Sequence, residues 1–395
     1  MSRPTARHPG LTLRVLGAVA EVPAEAWDAL FVHERELASP FVRHAFLDAL
    51  ERSGAAGPRA GWRARHLTLW RGAALVAAAP AWLKDGSEGD FSRDWEWAAA
   101  AERAGLPYYP KLMLSVPATP ATGRRLLVAG GEPRAELVPR LLEAARQVAA
   151  DEEAGGVHVL FAPPEEAAEL EAAGLCRRVD FQYHWRNEGY RTFDDFLARF
   201  PSKRRNSLRR ELRAPAEQGI AIRTVRGEEL ARDPAGWARA CFELHRATTD
   251  QMAWGMRWVN RAFYERVLSG LPDAAEVVEA RREGRLVGMA FNLASRDVLY
   301  GRYWGCLEAH PFLHFNVALY HSIGECIALG RRRFEGGAGG EHKVSRGFEP
   351  AETWSAHQLT DPRLDAAVRR HLDAEREARQ AGLAGWRDGH ERLGG

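Results

Sequence analysis

The stretch FEGGAGGEHKVSRGF (334–348) sets Gly336, Gly337, Gly339 and Gly340 directly before Glu341, His342, Lys343 and Arg346. Glycines let main-chain N–H groups converge on a charged ligand or a developing oxyanion. A carboxylate or imidazole just behind them can accept a proton from an amine. Lysine and arginine beyond can neutralise a phosphate or a carboxylate. These are the parts of an acyl-transfer site, with Glu341 and His342 as candidate bases. The run is neither a P-loop nor a dinucleotide fingerprint. A flexible polar loop is the plain alternative.

Upstream, VLYGRYWGC (298–306) has the alternation of a strand. Alternation predicts Tyr300, Arg302 and Trp304 on one face. Gly301 and Gly305 would let a ligand or another backbone approach. The alternative is an aromatic core strand with one snorkelling arginine. HPFLHFNVALYHSIGECIALG (310–330) follows, a loop that enters a helix. A helix N-terminus offers free N–H groups and partial positive charge, an anion site.

FPSKRRNSLRRELR (200–213) carries the positive charge. From Arg199 to Arg213 there are seven cations and one anion, Glu211. Ser202 is placed to cap this helix. Leu208 and Leu212 form an apolar stripe and leave Lys203, Arg204, Arg205 and Arg209 free for a phosphate of a nucleotide, coenzyme or tRNA. A solvated basic face is the alternative. In DWEWAAAAERAGLPYYPKLMLSVPATPATGRRLLV (94–128), prolines predict long extended loops; Tyr108, Tyr109 and Lys111 either face a cleft between the halves or, the favoured reading, belong to a structural loop that packs the two domains together.

These segments need scaffolding, and the chain supplies it twice. LTLWRGAALVAAAPAWL (67–83) and VVEARREGRLVGMAFNL (277–293) each read as strand, charged glycine turn and apolar strand. A helix over 134–150 and a strand over 157–161 follow the first. A helix over 315–329 and a strand over 332–335 follow the second. The pattern is an internal repeat with α/β character and a mixed sheet in each half. The expected division is 1–178 for the first half, 179–380 for the second half with the site, and 381–395 as a frayed polar tail.

Composition narrows the classes. The 395 residues carry a net charge of only +2, so any basic surface is local. The four cysteines make no C-x-x-C pair and no zinc spacing. No metal is expected. No signal peptide or membrane span is legible, and a cytoplasmic location is the expectation.

In order along nearly the whole chain, DWEWA, YYPKL, VPATPATGRRLL, FQYHWRNEGYRTFDDFL, KRRNSLRRE, LYGRYWGC, LHF, FEGGAGGEHKVSRGF and TWSAH resemble the FemAB-like group of predicted N-acyltransferases within the GNAT superfamily. The resemblance implies a tandem GNAT-like fold and acyl transfer onto an amine of a small molecule or peptide. It implies no permanently bound cofactor. The acyl donor would be acyl-CoA or a related thioester, or alternatively aminoacyl-tRNA. It would lie where a strand splays from its neighbour, here 298–306, before the helix 315–329. That puts Arg302 in the catalytic set, and Tyr300, Trp304, His314, Asn316, Tyr320, Gly339, Gly340, Lys343 and Arg346 near donor or substrate. The chain departs from the family pattern at Asn316, where Glu is usual, and at Leu319, where a tyrosine precedes Tyr320. The base role then falls to Glu341 or His342. A non-catalytic module with a GNAT-like cleft is the competing class.

Overall fold

The strands expected from alternation at Leu11–Leu16, Arg285–Ala294 and Val298–Cys306 are all formed in the computed structural model, which describes residues 5–8, 10–34, 39–251 and 256–393. The chain divides into two units. One contains Met1–Asp180 with Glu352–Ala381, the other Phe181–Ala351 with Gly382–Gly395.

In the first unit, Leu137, Leu141, Leu142 and Ala145 along helix Arg134–Asp151 fall at helical spacing and are buried. They join one apolar core with Leu67, Leu69, Val76, Leu112, Leu114, Val157 and Val159. Strands Lys111–Leu114 and Gly156–Ala162 run parallel, and that helix lies between them in sequence. The expected single strand over 73–83 is two, Ala74–Ala79 and Ala81–Lys84, because Pro80 interrupts the ladder.

The second unit repeats the scheme. Strands Ile220–Arg226, Ala275–Arg282, Arg285–Ala294 and Val298–Cys306 pair antiparallel in sequence order. The chain then forms a helix from Leu313 to Ala328 and returns as Arg333–Glu335, parallel to Val298–Cys306. Each unit therefore ends an antiparallel run in a parallel pair bridged by a helix. The basic helix runs over Ser202–Glu217 and is separated by Pro201 from the short helix Phe193–Ala198. Pro201, not Ser202, occupies the cap position, and no side chain bonds there.

The expected division is corrected at its C-terminal end. Residues Glu352–Ala381 belong to the first unit. Strand Glu349–Leu359, not foreseen, pairs with Gly156–Ala162 from Trp354 to Leu359. The next helix buries Leu364, Val368 and Leu372 against Trp97, Tyr108 and Cys176. The tail expected to fray beyond 380 is helical to Leu393.

The aromatic segment expected as loops contains helix Trp95–Arg103 and strand Lys111–Leu114. Its polar residues converge on the fully buried Lys111. The ammonium lies 2.7 Å from Asp90 Oδ2 and contacts Asp94 Oδ2. Tyr108 donates to Asp94 Oδ2 at 2.6 Å, and Ser87 donates to Asp94 Oδ1 at 2.6 Å. Burial pushes both carboxyls up. At Asp94 the Lys111 charge and the hydrogen bonds from Lys111 and Ser87 win, and hold it well below the carboxylate range. Asp90 stays raised. The favoured structural role for this segment fits that burial. Lys111→Met removes the only cation of the cluster and leaves its carboxylates buried. It should cost about 3–5 kcal/mol, read as a lowered urea midpoint. A loss under about 1 kcal/mol would show that the pair is not a true buried ion pair.

Candidate active site

Strand Val298–Cys306 is paired to Arg333–Glu335 only at Val298↔Arg333, Leu299↔Phe334 and Tyr300↔Glu335. Past Tyr300 it continues to Cys306, while its parallel neighbour turns away into the glycine run. A pocket of about 230 Å³ opens where they part. It brings together Arg302, Trp304, His314, Gly339, Gly340, His342 and Lys343 from the expected set. Tyr300, Asn316, Tyr320, Arg346 and the basic-helix residues do not line it.

A β-bulge arranges the strand side. Asn292 faces Gly301, but the next residue, Phe291, faces Tyr303. Arg302 is the extra residue and has no opposite. The bulge resets the alternation, so the expected common face of Tyr300, Arg302 and Trp304 is not formed. Tyr300 and Tyr303 share the face of Leu293 and Phe291, and Tyr300 is buried. Trp304 lies on the face of Gly301 and Ala290, with its ring 5.0 Å from that of His314. Gly301 lines the pocket. Gly305 has another purpose: a Cβ there would lie 2.3 Å from the Leu244 carbonyl carbon, so helix Pro234–Thr249 packs directly on it.

The glycine turn arranges the other side. Gly337, Gly339, Gly340 and Gly347 all have positive φ, which only glycine adopts readily. A 3-10 turn over Glu341–Arg346 follows. Lys343 is buried and donates to Gly337 O at 3.0 Å and Gly339 O at 2.7 Å. Burial pushes its ammonium down to about 8. Burial, with the charges of His342, Lys343 and Arg346, pushes His314 down to about 4. His342 is more exposed and is lowered by burial, then by Lys343 and Arg346. The side chain of Glu341 lies outside the described residues.

Arg346, expected near donor or substrate, does not line this pocket and is engaged within the protein. Its guanidinium sits 3.4 Å from the Phe315 ring centroid and donates to Glu211 Oε2 at 3.1 Å and His342 O at 2.9 Å. Tyr320 donates to the same Glu211 oxygen. Arg204 donates to Glu211 Oε1 at 3.2 Å and to Ser345 O at 2.8 Å. Asn316 donates to the Glu211 carbonyl at 2.8 Å and to Phe312 O at 3.0 Å. The bridging helix is widened by a π-turn over Asn316–Tyr320, a feature common at functional sites. Sequence reading missed Glu211. Its signal was a lone acid on the Leu208–Leu212 stripe, where a carboxylate must be buried with partners.

The remaining basic-helix residues point outward. Lys203 and Arg209 are exposed and Arg205 is half-buried; Arg209 meets Asp194 at 3.3 Å. Among the described residues, Lys203, Arg205 and Arg210 have no carboxylate partner. The helix entrance supplies little of the expected anion site. Pro311 has no N–H, Leu313 N–H is bonded to His310 O, and Glu308 adds negative charge beside Arg285. Phe312 there adopts φ 61°, an outlier for a bulky side chain.

Two units of mixed sheet, each ending in a helix-bridged parallel pair, with a pocket where the second pair parts, define a two-halved GNAT-like fold. The chain belongs to the FemAB-like family, described as peptidoglycan biosynthesis/recognition, whose model matches residues 18–390. The family and fold place the chain with transferases of acyl or aminoacyl groups. Among solved structures it is similar to FemX, at 11% identity and a TM-score of 0.53, covering 88% of this chain and 98% of that one. It is also similar to the C-terminal domain (DUF2156) of a protein named as a lysylphosphatidylglycerol synthetase from Agrobacterium fabrum. There identity is 12%, TM-score 0.50, and coverage 89% and 96%. A tandem GNAT protein from the clavulanic acid pathway matches at 14% identity and a TM-score of 0.45, covering 89% and 99%. No curated relative matches the chain in sequence. No helix among the described residues is long and apolar enough to cross a membrane.

Two outcomes follow from this geometry. Glu211→Ala strands Arg346 as an unpaired buried charge and should cost about 3–5 kcal/mol, measured by urea unfolding. The folded His314 takes a proton only near pH 4, whereas an unfolded histidine takes it near 6.5. Acidification between those values therefore favours the unfolded chain. Histidine-resolved nitrogen NMR should find His314 neutral at pH 6; an imidazolium signal there would contradict the burial.

Proposed function

We propose that the second unit transfers an acyl group from an activated carrier to an amine bound in the pocket between the bulged strand and the glycine turn. One observation carries this reading: the parallel strands part at Tyr300–Glu335, and the gap is lined by Arg302, His314 and His342. The amine nitrogen attacks the acyl carbon. The C–N bond forms and the carrier's C–S or C–O bond breaks. Arg302, the extra residue of the bulge, is the proposed stabiliser of the oxyanion through its guanidinium. His342, held in its neutral form, accepts the amine proton. The departing carrier takes up that proton as a thiol or hydroxyl. A cytoplasmic enzyme with no permanent cofactor is consistent with this chemistry.

The carrier is proposed first as an acyl-CoA or related thioester. A second reading, transfer from aminoacyl-tRNA, is favoured by a specific observation. Lys203, Arg205 and Arg210, which have no carboxylate partner among the described residues, belong to helix Ser202–Glu217, whereas the segment before the helix entrance carries Glu308 and Pro311.

The test incubates the full chain with amines and with either an acyl-CoA mixture or aminoacyl-tRNA, and reads the product by mass spectrometry. His342→Ala should lower kcat by about 100-fold or more, and Arg302→Ala should lower it by about tenfold. Full turnover in both variants would remove the site from this pocket. If tRNA is the carrier, binding should weaken steeply with salt, and again on replacing Lys203 and Arg205. The absence of any tRNA complex at low salt would eliminate that carrier.

A further inference from the structure

Among the described residues, the pocket's charge is one-sided. Arg302 and Lys343 supply full positive charges, and His314, His342 and Asn292 supply neutral polar groups. Among the described residues, no aspartate or glutamate lines it. Lys343 is only 6% exposed, and its ammonium donates to two neutral carbonyls, Gly337 O and Gly339 O. Three other buried cations meet carboxylates: Lys111 meets Asp90 and Asp94, Arg346 meets Glu211, and Arg331 meets Glu276. Lys84 in the first unit, like Lys343, donates to a carbonyl, that of Ala60. A buried ammonium with only carbonyl partners is under-compensated. The depression of Lys343 to about 8 has burial as its cause, with no carboxylate to offset it.

This charge acts on an incoming amine in two opposing ways. Two cations disfavour a protonated amine, so the amine is held in its neutral, nucleophilic form. The same cations bind a simple amine poorly, because most of it is protonated in neutral water. A carboxylate on the same molecule resolves the conflict by supplying the missing counter-charge at the ammonium. The volume, about 230 Å³, lies below the roughly 300 Å³ at which drug-sized ligands are held. The occupant is therefore small.

We propose that the acceptor is a small amino acid-like molecule, an amine that carries its own carboxylate, and that Lys343 binds that carboxylate. The inference rests on the acyl-transfer reading of this pocket and adds the acceptor class to it. No atom of Lys343 takes part in bond making; it positions the acceptor.

The experiment uses the full chain, with whichever donor supports turnover, and matched acceptors. Glycine, β-alanine and 4-aminobutanoate are each compared with their primary amides, which keep the amine and mask the carboxylate. At least one acid should exceed its amide by about tenfold or more in kcat/KM, with the difference in KM. Lys343→Met should erase that preference, and Lys343→Arg should retain part of it. Thermal shift gives a readout without turnover: the preferred acid should raise the Tm of the native chain and not that of Lys343→Met. If Lys343→Met does not fold, Lys343→Gln takes its place. Equal rates for acids and amides would overturn the inference and leave acyl transfer standing. So would a preference found only on the donor, succinyl over butyryl. An acid preference undiminished in Lys343→Met and Lys343→Gln would overturn the role of Lys343. Acylation of no amine from either carrier would remove both the inference and the reading beneath it.

Discussion

A single buried carboxylate, Glu211, holds the second unit's site in shape. Its two oxygens receive Arg204, Arg346 and Tyr320, and its main-chain carbonyl receives Asn316. Three segments meet there: the basic helix, the bridging helix at two of its positions, and the 3-10 turn after the glycines. Within the turn, Lys343 ties the glycine carbonyls of Gly337 and Gly339 together; glycines at positive φ add no stiffness of their own. Arg346 carries the constraint onward by bonding the carbonyl of His342 and stacking on Phe315. His342 and Lys343 are thus placed by a residue on a different helix.

The opposite wall is placed by the bulge at Arg302. Without it, strict alternation would put Trp304 on the face of Tyr300, against the helices Pro234–Thr249 and Arg261–Gly270. The extra residue turns Tyr303 to that side instead, where it packs with His245, Phe263, Tyr264 and Phe291. Trp304 is released toward His314. One inserted residue therefore supplies both a packed face behind the site and an aromatic wall in front of it. The close approach of the Leu244 backbone to Gly305 locks the bulged strand in that register.

This separates what was legible from what was not. The hairpins, the helix Arg134–Asp151 and the glycine turn are local: period, turn residues and caps announce them. The pocket's members Arg302, Trp304, His314, His342 and Lys343 were also legible, because they cluster in three neighbouring segments, 298–306, 310–330 and 334–348. The roles of Arg346, Asn316 and Tyr320 were not. Each is decided by Glu211, more than a hundred residues away in sequence for Asn316, Tyr320 and Arg346. The return of Glu352–Ala381 to the first unit is likewise a long-range pairing, with Gly156–Ala162, that no local pattern reports. The bulge escaped for a different reason. It is invisible in alternation and appears only in the register of the neighbouring strand.

Duplication makes the asymmetry between the units informative. The first unit has the same parallel pair, Lys111–Leu114 with Gly156–Ala162, but Leu112, Met113 and Leu114 are all buried there. His158 in that pair is closed off by His357, nitrogen to nitrogen at 2.9 Å. Burial pushes His158 down to about 3, so it stays neutral and structural. A Cβ on Gly155 would collide with the Tyr108 carbonyl at 2.3 Å, so this glycine serves packing rather than a ligand. In the first unit Lys111 is matched by Asp90 and Asp94. In the second unit the comparable pair carries a bulge and a glycine run in place of closed ladder, and Lys343 faces carbonyls in place of aspartates. The same topology thus gives a closed parallel pair in one unit and, in the other, a pocket whose described lining carries cations and no carboxylate. Unbalanced charge is what a substrate can complete, and this is why the chemistry is assigned to the second.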